Sequence, residues 1–375
     1  MQFVKVISKK KNILVFSGKR GGYGALKPLL RMLESNESIN LDLVLSDQHI
    51  NPFFGNTQSE VAKDFPKYSI LEMNQTSSKT SSRVYALSEL LASSSHYLKT
   101  KRPDLAILYG DRGEVLTLAV ALVHFKIPIA HIQGGDSSGN IDDLFRNAIT
   151  HLSNFHFPSC KTSKEKLINL GIQESLIYTV GDCHLDEIYY ENFPDIKEVE
   201  KKLDIMNLKD YAIFLLHPDT INKVDYENVL PPILNYLSSI FDNLIAIYPC
   251  SDPGYYEITK TLEVVRNKDN VHVYENLEAP IFWSLMKSAK LFIGNSSAGI
   301  IETSAFKLPT VNIGQRQQGR LRPKHVIESE FDMDAIKKAI EKAKRFDFKY
   351  IDCPYGEGKA NEKIYKWICE YTNKL

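Results

Sequence analysis

The chain repeats one alternation along most of its length: a short apolar run, a turn of small residues, then a longer amphipathic stretch. In the first half, residues 13–16 (ILVF) read as a buried strand, followed by GKRGGYG and the helical pattern ALKPLLRMLES. Residues 41–45 read as a second strand, and residues 86–98 as a helix with Leu87, Leu90, Leu91 and Leu98 on one face. Residues 105–109 predict a strand, 115–125 a helix and 127–132 another strand. The serine-rich residues 77–82 read as a loop. Short apolar strands separated by helices of about ten residues predict βαβ units and a parallel sheet.

A second series begins near residue 211. Strands are expected at 212–216, 244–248, 271–274, 291–293 and 310–313, the last of the series. Helices are expected at 229–240, at 279–287 and from GNSSAG to residue 306. The polar stretch 191–210 reads as a linker, and the tail 334–375 as two helices split by DCPYG. The pattern therefore predicts an α/β chain of two Rossmann-like, doubly wound domains, 1–190 and 191–358, whose ligand-binding mouths face a common cleft.

Composition narrows this picture. The 375 residues exceed one ordinary domain. Apolar residues make up 43% and charged residues 25%, as in globular proteins. Formal net charge is zero, which argues against nucleic acid or an anionic membrane surface as the main partner. No run of eighteen apolar residues is present, so no membrane span is expected. The first residues, MQFVKVISKKKNILVFSG, read as a strand and not as a secretion signal. The five cysteines, Cys160, Cys183, Cys250, Cys353 and Cys369, lack CxxC spacing, which suits free thiols and a cytoplasmic location.

Chemistry concentrates at strand ends. In GNSSAG, residues 294–299, small residues let backbone approach an anion, and N–H groups opening a helix point at it. Ser296 and Ser297 add hydroxyl donors, and Glu302 is placed to accept from a ribose. The same residues also suit an ordinary helix cap. In GDRGE, residues 110–114, Asp111 and Arg112 read either as a base and a phosphate clamp or as a helix cap beside a solvated arginine. In HIQGGDSSGNIDDLFR, residues 131–146, Asp136, Asp142 and Asp143 cluster, and Arg146 is spaced to pair with Asp142. His217 follows a strand, where it suits a diphosphate or a proton. His131 and His156 read as core groups. Arg316 and Arg320 suit phosphate clamps or a solvated loop. No HxxxH or HExxH metal spacing, GxSxG, Walker or GxGxxG motif occurs.

Taken in order, GKRGGYGALKPLL, GDRGE, HIQGGDSSGNIDDLFRNAIT, VGDCHLDEI, HP, IYP, GNSSAGIIETSAF, VNIGQRQQGR and PYGEGKANEKI resemble the UDP-N-acetylglucosamine 2-epimerase family. The GG after HIQ and the IDDLFRNAIT segment resemble its hydrolysing branch, which serves sialic and nonulosonic acid biosynthesis. The resemblance implies a glycosyltransferase-B-like fold, with the C-terminal helix, 359–375, packing back on the first domain. It implies a nucleotide-sugar substrate, a homodimer or homotetramer, and no redox cofactor or metal. The implied reaction expels UDP as the C2 proton leaves, gives a glycal, and adds water with inversion to release N-acetylmannosamine or its 2,4-diacetamido-trideoxy analogue.

By the same resemblance, Arg20, Arg112, His217, Ser296, Ser297, Glu302 and Arg316 fall where the family holds UDP. Asp111 and Asp142 fall at its acid/base carboxylates, and Asp186 matches a further family acid. Gln133 stands where many members have a glutamate that moves a proton. Gly21-Gly22, Asp136, Asn147, His151 and Cys250 also depart from the usual pattern. A non-hydrolysing epimerase, a glycosyltransferase and a non-catalytic nucleotide-sugar binder remain as alternatives on this fold.

Overall fold

A computed structural model describes residues 10–51, 57–77, 79–137, 141–190, 192–219, 222–249 and 254–374. The expected start of the first strand within residues 1–9, the departure at Cys250 and the side chain of Arg20 lie outside the described set. The chain divides into two compact units. The first takes the described residues of Met1–Asp136, Ile141–Glu187 and Gly358–Leu375, and the second those of Ser137–Asn140 and Ile188–Glu357.

The first unit contains strands β1 (Lys11–Ser17), β2 (Ile39–Leu45), β3 (Ser69–Ile70), β4 (Leu105–Tyr109), β5 (Ile129–Ile132) and β6 (Phe155–Phe157). They form a parallel sheet in the order β3-β2-β1-β4-β5-β6. Its helices are α1 (Arg20–Glu34), α2 (Gln58–Asp64), α3 (Thr80–Thr100), α4 (Gly113–His124), α5 (Asp142–Leu152) and α6 (Lys161–Asn169), with α7 (His184–Tyr190) at the unit's edge. Alternation along β1 divides the core. Ile13 and Val15 pack with Leu26, Leu29 and Leu30 of α1, while Leu14 and Phe16 pack with Leu90 of α3 and Leu118 of α4.

The second unit contains α8 (Ile196–Leu203), β7 (Tyr211–Leu215), α9 (Tyr226–Ile240), β8 (Asn243–Ile247), α10 (Tyr255–Val265), β9 (Val271–Tyr274) and α11 (Ala279–Ser288). It continues with β10 (Leu291–Gly294), α12 (Ala298–Ile301), α13 (Thr303–Phe306), β11 (Thr310–Ile313), β12 (Val326–Ser329) and α14 (Met333–Lys344). Its sheet is also parallel, in the order β12-β11-β10-β7-β8-β9. Taken from β9, that is the same winding as the first sheet. Each sheet therefore has a point where the winding reverses, between β1 and β4 and between β7 and β10. Ligands of such sheets bind beyond the strand carboxyl ends at this reversal.

The last helix, α15 (Ala360–Thr372), returns to the first unit and packs on α1. Ala360, Ile364 and Ile368 join its core. Trp367 stacks on Tyr371, with ring centroids 5.1 Å apart, and both rings meet Phe155 of β6.

Four expectations need correction. Residues 191–210 are not a simple linker: Asp195 and Glu198 form a reciprocal capping box that starts α8, and Val199 is buried. Thr310–Ile313 is not the last strand, because β12 follows it. Ser81 and Ser82 lie within α3, where Ser82 Oγ accepts the Thr76 and Ser77 N–H groups. Leu91 is 41% exposed, one helical step of about 100° away from the buried Leu90.

Candidate active site

In the second unit the reversal is built around Asn295. Gly294, at φ +150, ends β10 so close to Leu215 that a Cβ would lie 1.9 Å from the Leu215 carbonyl oxygen. Asn295 then faces the end of β7. Its Oδ1 accepts from the His217 N–H at 2.6 Å, and its Nδ2 donates to the His217 carbonyl at 2.8 Å. The Asn295 carbonyl in turn accepts from Gln317 Nε2 at 2.9 Å and Arg316 Nη1 at 3.3 Å. One asparagine thus brings together His217, Arg316 and the turn that carries Ser296 and Ser297. Ser296 is buried and Ser297 half-buried.

The helix expected through residue 306 is broken after Ile301 into α12 and α13, each of four residues. A macrodipole summed over so few peptides is small, so the turn's anion-binding capacity rests on local N–H and hydroxyl donors. Glu302 occupies the break, and its Oε2 accepts from the Trp283 indole at 3.0 Å. That bond fixes the carboxylate and leaves its other oxygen to be satisfied elsewhere.

In the first unit the turn after β4 carries Asp111 and Arg112. Arg112 is neither fully solvated nor alone. Its Nε donates to Glu114 at 2.6 Å and its Nη2 to Asp47 at 3.3 Å, while Arg83 bonds the same two acids at 2.6 and 2.9 Å. Burial opposes ionisation of Glu114, but the two guanidiniums overcome it and hold the carboxyl below its usual range. Burial and the Glu114 charge push Asp47 up instead. This ring of charges packs under Gly18, where a Cβ would lie 2.7 Å from Glu114 Cγ. Arg112 therefore stands anchored at the end of β1, at the reversal.

Asp111 pairs with Arg146, which also binds Asp143 and donates to the Asp136 carbonyl at 2.8 Å. Where the spacing predicts a pairing of Arg146 with Asp142, Arg146 bonds Asp143, on the helical face three residues back, and Asp111. Asp142 opens α5, and its charge acts on Arg112. Asp111, Asp142 and Arg112 are accordingly brought together.

His131 supports this turn from below. Its Nε2–H donates to the Gly110 carbonyl at 2.8 Å, and burial pushes the imidazole down to about 3, so the ring is neutral. His131 and His156 are both core groups, as the pattern predicts. Asp136 is buried too, with Oδ1 accepting from Ser159 at 2.7 Å and Ser163 at 2.6 Å.

Gln133 follows β5 with φ +66, in the left-handed region uncommon for a residue with a side chain. Its Nε2 donates to Asp182 Oδ2 at 3.1 Å. Asp186, by contrast, serves structure. Its two oxygens accept the Ala360 N–H at 2.9 Å, the Asn361 N–H at 2.7 Å and Asn361 Nδ2 at 3.0 Å, so it caps α15. It is 2% exposed, and burial pushes its carboxyl up. These bonds assign Asp186 to capping α15 and not to the catalytic role expected from the sequence. Among the described residues, no three His, Cys, Asp or Glu side chains converge to hold a metal ion.

The sequence model of the UDP-N-acetylglucosamine 2-epimerase family matches residues 31–369. The chain belongs to this family. Among its relatives, the UDP-N,N'-diacetylbacillosamine 2-epimerase (hydrolyzing) of Legionella pneumophila is 31% identical, over 96% of this chain and 95% of that one. The GDP/UDP-N,N'-diacetylbacillosamine 2-epimerase (hydrolyzing) of Campylobacter jejuni is 30% identical, over 91% and 89%. The crystal structure of UDP-GlcNAc 2-epimerase from Neisseria meningitidis bound to UDP-GlcNAc superposes with a TM-score of 0.76, covering 96% of this chain and all of that one at 19% identity. That likeness confirms the glycosyltransferase-B-like α/β fold of the epimerases.

Several groups at these turns escape a motif reading. Asn295 is inside GNSSAG but reads there as one more small polar residue. Glu114, Asp47 and Arg83 come from separate segments, so no spacing joins them. Asp182 and His184 do carry a local signal, Asp-x-His at the start of α7, inside VGDCHLDEI.

Proposed function

We propose that the chain is a hydrolysing 2-epimerase of a UDP-activated 2-acetamido sugar, with the 2,4-diacetamido-trideoxy hexose favoured over N-acetylglucosamine. One observation carries the reading. Two relatives at 30% identity or above, matched over about nine-tenths of the chain or more, are named for the hydrolysing reaction on N,N'-diacetylbacillosamine.

In this reading the second unit holds UDP. His217, Arg316, Ser296 and Ser297 serve the diphosphate and Glu302 the ribose. In the first unit, Arg20 and Arg112 are the cations for an anionic group, and Asp111 and Asp142 are the acid/base carboxylates. The C2 proton is weakly acidic, so stabilising the departing diphosphate with cations and N–H donors is the largest expected contribution. A carboxylate accepts the C2 proton as the C1–O bond breaks, and UDP leaves with the electron pair. Water then adds its oxygen to C1 of the glycal while a proton is delivered to the opposite face of C2. The products are UDP and the free 2-epimer.

The test is an NMR time course in D2O with UDP-N,N'-diacetylbacillosamine and UDP-N-acetylglucosamine. The expected result is release of UDP and a free sugar deuterated at C2. Absence of UDP release from both overturns the reading. A 2-epimer that keeps its anomeric phosphate coupling places the chain with the non-hydrolysing epimerases instead.

A further inference from the structure

Gln133 raises a chemical question, because an amide cannot carry a proton between carbon and water. Its surroundings supply a group that can. The Gln133 amide is tied to Asp182, whose side chain is fully buried. Asp182 Oδ1 accepts the His184 N–H at 2.9 Å and lies 3.2 Å from His184 Nδ1. The same Nδ1 is 3.0 Å from the Tyr109 hydroxyl. A carboxylate only accepts, so the contact with Asp182 places the ring proton of the neutral imidazole on Nδ1 and the basic lone pair on Nε2.

The position of this dyad is also informative. Tyr109 ends β4 and is separated from Asp111 by Gly110 alone. Burial raises the Tyr109 hydroxyl, and the charges of Asp182, Asp136 and Asp111 add to that. From α1, Gly22 lies over the Tyr109 ring, and a Cβ there would be 3.5 Å from Cδ1. His184 itself opens α7, and its side chain is 37% exposed. A buried carboxylate behind a partly exposed imidazole, at strand carboxyl ends, is an arrangement that orients a proton-transfer group.

We propose that His184 is a proton-transfer residue of the sugar reaction alongside Asp111, with Asp182 positioning its ring and Gln133 positioning Asp182. The inference rests on the 2-epimerase reading above. In each turnover, one of the two groups takes the C2 proton as UDP departs. The other delivers a proton to C2 as water adds at C1 and is restored by the proton that water loses, while the first group returns to its starting state by releasing the C2-derived proton to solvent as UDP departs.

His184→Ala and His184→Gln are compared with wild type for UDP binding by calorimetry and for turnover with and without added imidazole. The expected result is wild-type UDP affinity, turnover reduced about a hundredfold or more, and partial recovery of His184→Ala by imidazole that Asp111→Asn does not share. Asp182→Asn is expected to lower kcat and displace the pH profile while leaving KM nearly unchanged. Turnover within about threefold of wild type in both His184 variants overturns the proposal. So does a loss that imidazole leaves untouched in a variant that still binds UDP, since that marks a structural role. If His184→Ala fails to bind UDP, His184→Gln decides the matter, and its wild-type turnover or failure to bind UDP likewise overturns the proposal. Failure of the 2-epimerase reading shows separately, as a wild-type enzyme that releases no UDP from either sugar.

Discussion

Asn295 satisfies both backbone groups of His217 with a single side chain, accepting from its N–H at 2.6 Å and donating to its carbonyl at 2.8 Å. The amide acts as an extra rung between β7 and β10 at the place where the sheet order reverses. Asn295→Ala leaves two strand-end groups unpaired, each costing about 1–3 kcal/mol when buried. The expected outcome is a lower melting temperature and UDP binding weakened at least tenfold. Asn295→Asp keeps the acceptor and loses the donor, so it is expected to fall between the two. Thermal melts and calorimetry check both.

Asp111 is the carboxylate on which the proposed chemistry turns. Asp111→Asn is expected to lower kcat about a hundredfold or more, the usual scale for a positioned acid/base group, with UDP affinity nearly kept. Wild-type turnover in that variant removes Asp111 from the mechanism.

Arg146 holds Asp111 and Asp143 while itself 3% exposed. Replacing one member of a buried ion pair strands the other charge, at a cost of about 3–5 kcal/mol. Arg146→Met is therefore expected to lose both stability and turnover, whereas Asp111→Asn, which leaves Arg146 bonded to Asp143 and the Asp136 carbonyl, loses mainly turnover. Denaturant titration of the two variants side by side separates these outcomes.

Gly135 has φ +81, and a Cβ on it would meet the Ser163 carbonyl oxygen at 2.2 Å. The left-handed backbone alone costs a substituted residue about 1–2 kcal/mol, and the clash adds to it. Gly135→Ala is expected to express poorly or to melt well below wild type. Gly21 meets nothing within 4 Å and lies in α1. Gly21→Ala is expected to hold or raise the melting temperature, by reducing the freedom of the unfolded chain.

Buried histidines make stability depend on pH. Burial pushes His49, His156 and His325 down to about 4 and His131 to about 3. In the unfolded chain they titrate near 6.5. Between about pH 6.5 and 4 the unfolded chain binds protons that the folded chain refuses, so stability falls as pH is lowered through that window. His325→Gln removes one such site. Its plot of unfolding free energy against pH is expected to be shallower by up to about 1.4 kcal/mol per pH unit. An unchanged slope contradicts the neutral, buried assignment of His325.

The sequence reveals the interior of each sheet more readily than its rim. Central strands such as β4 and β7 are buried throughout and read as unbroken apolar runs. The strands it misses, β3 and β12, are both edge strands. An edge strand pairs on one side only, and β12 accordingly mixes buried and exposed positions. The same contrast holds at the candidate site. Turns with glycines announce where chemistry can occur, but not which side chains meet there. Asp111 bonds Arg146 across 35 residues, and Gln133 bonds Asp182 across 49. Such pairings follow from the winding of the sheet and have no local spacing. Asp186 shows the converse, since a motif position that invites a catalytic reading is spent on capping α15.

That cap bears on how the protein is made. Ala360, Ile364 and Ile368 close the core that β1 and α1 open, and Asp186 binds nothing of α15 until residues 360 and 361 arrive. On the ribosome, the second unit is synthesised in full before the first receives its last helix. The nascent first unit must wait with the α1 face uncovered, within reach of chaperones and neighbouring chains. A stop codon or bulky fusion at the carboxyl end is therefore a lesion of the amino-terminal half.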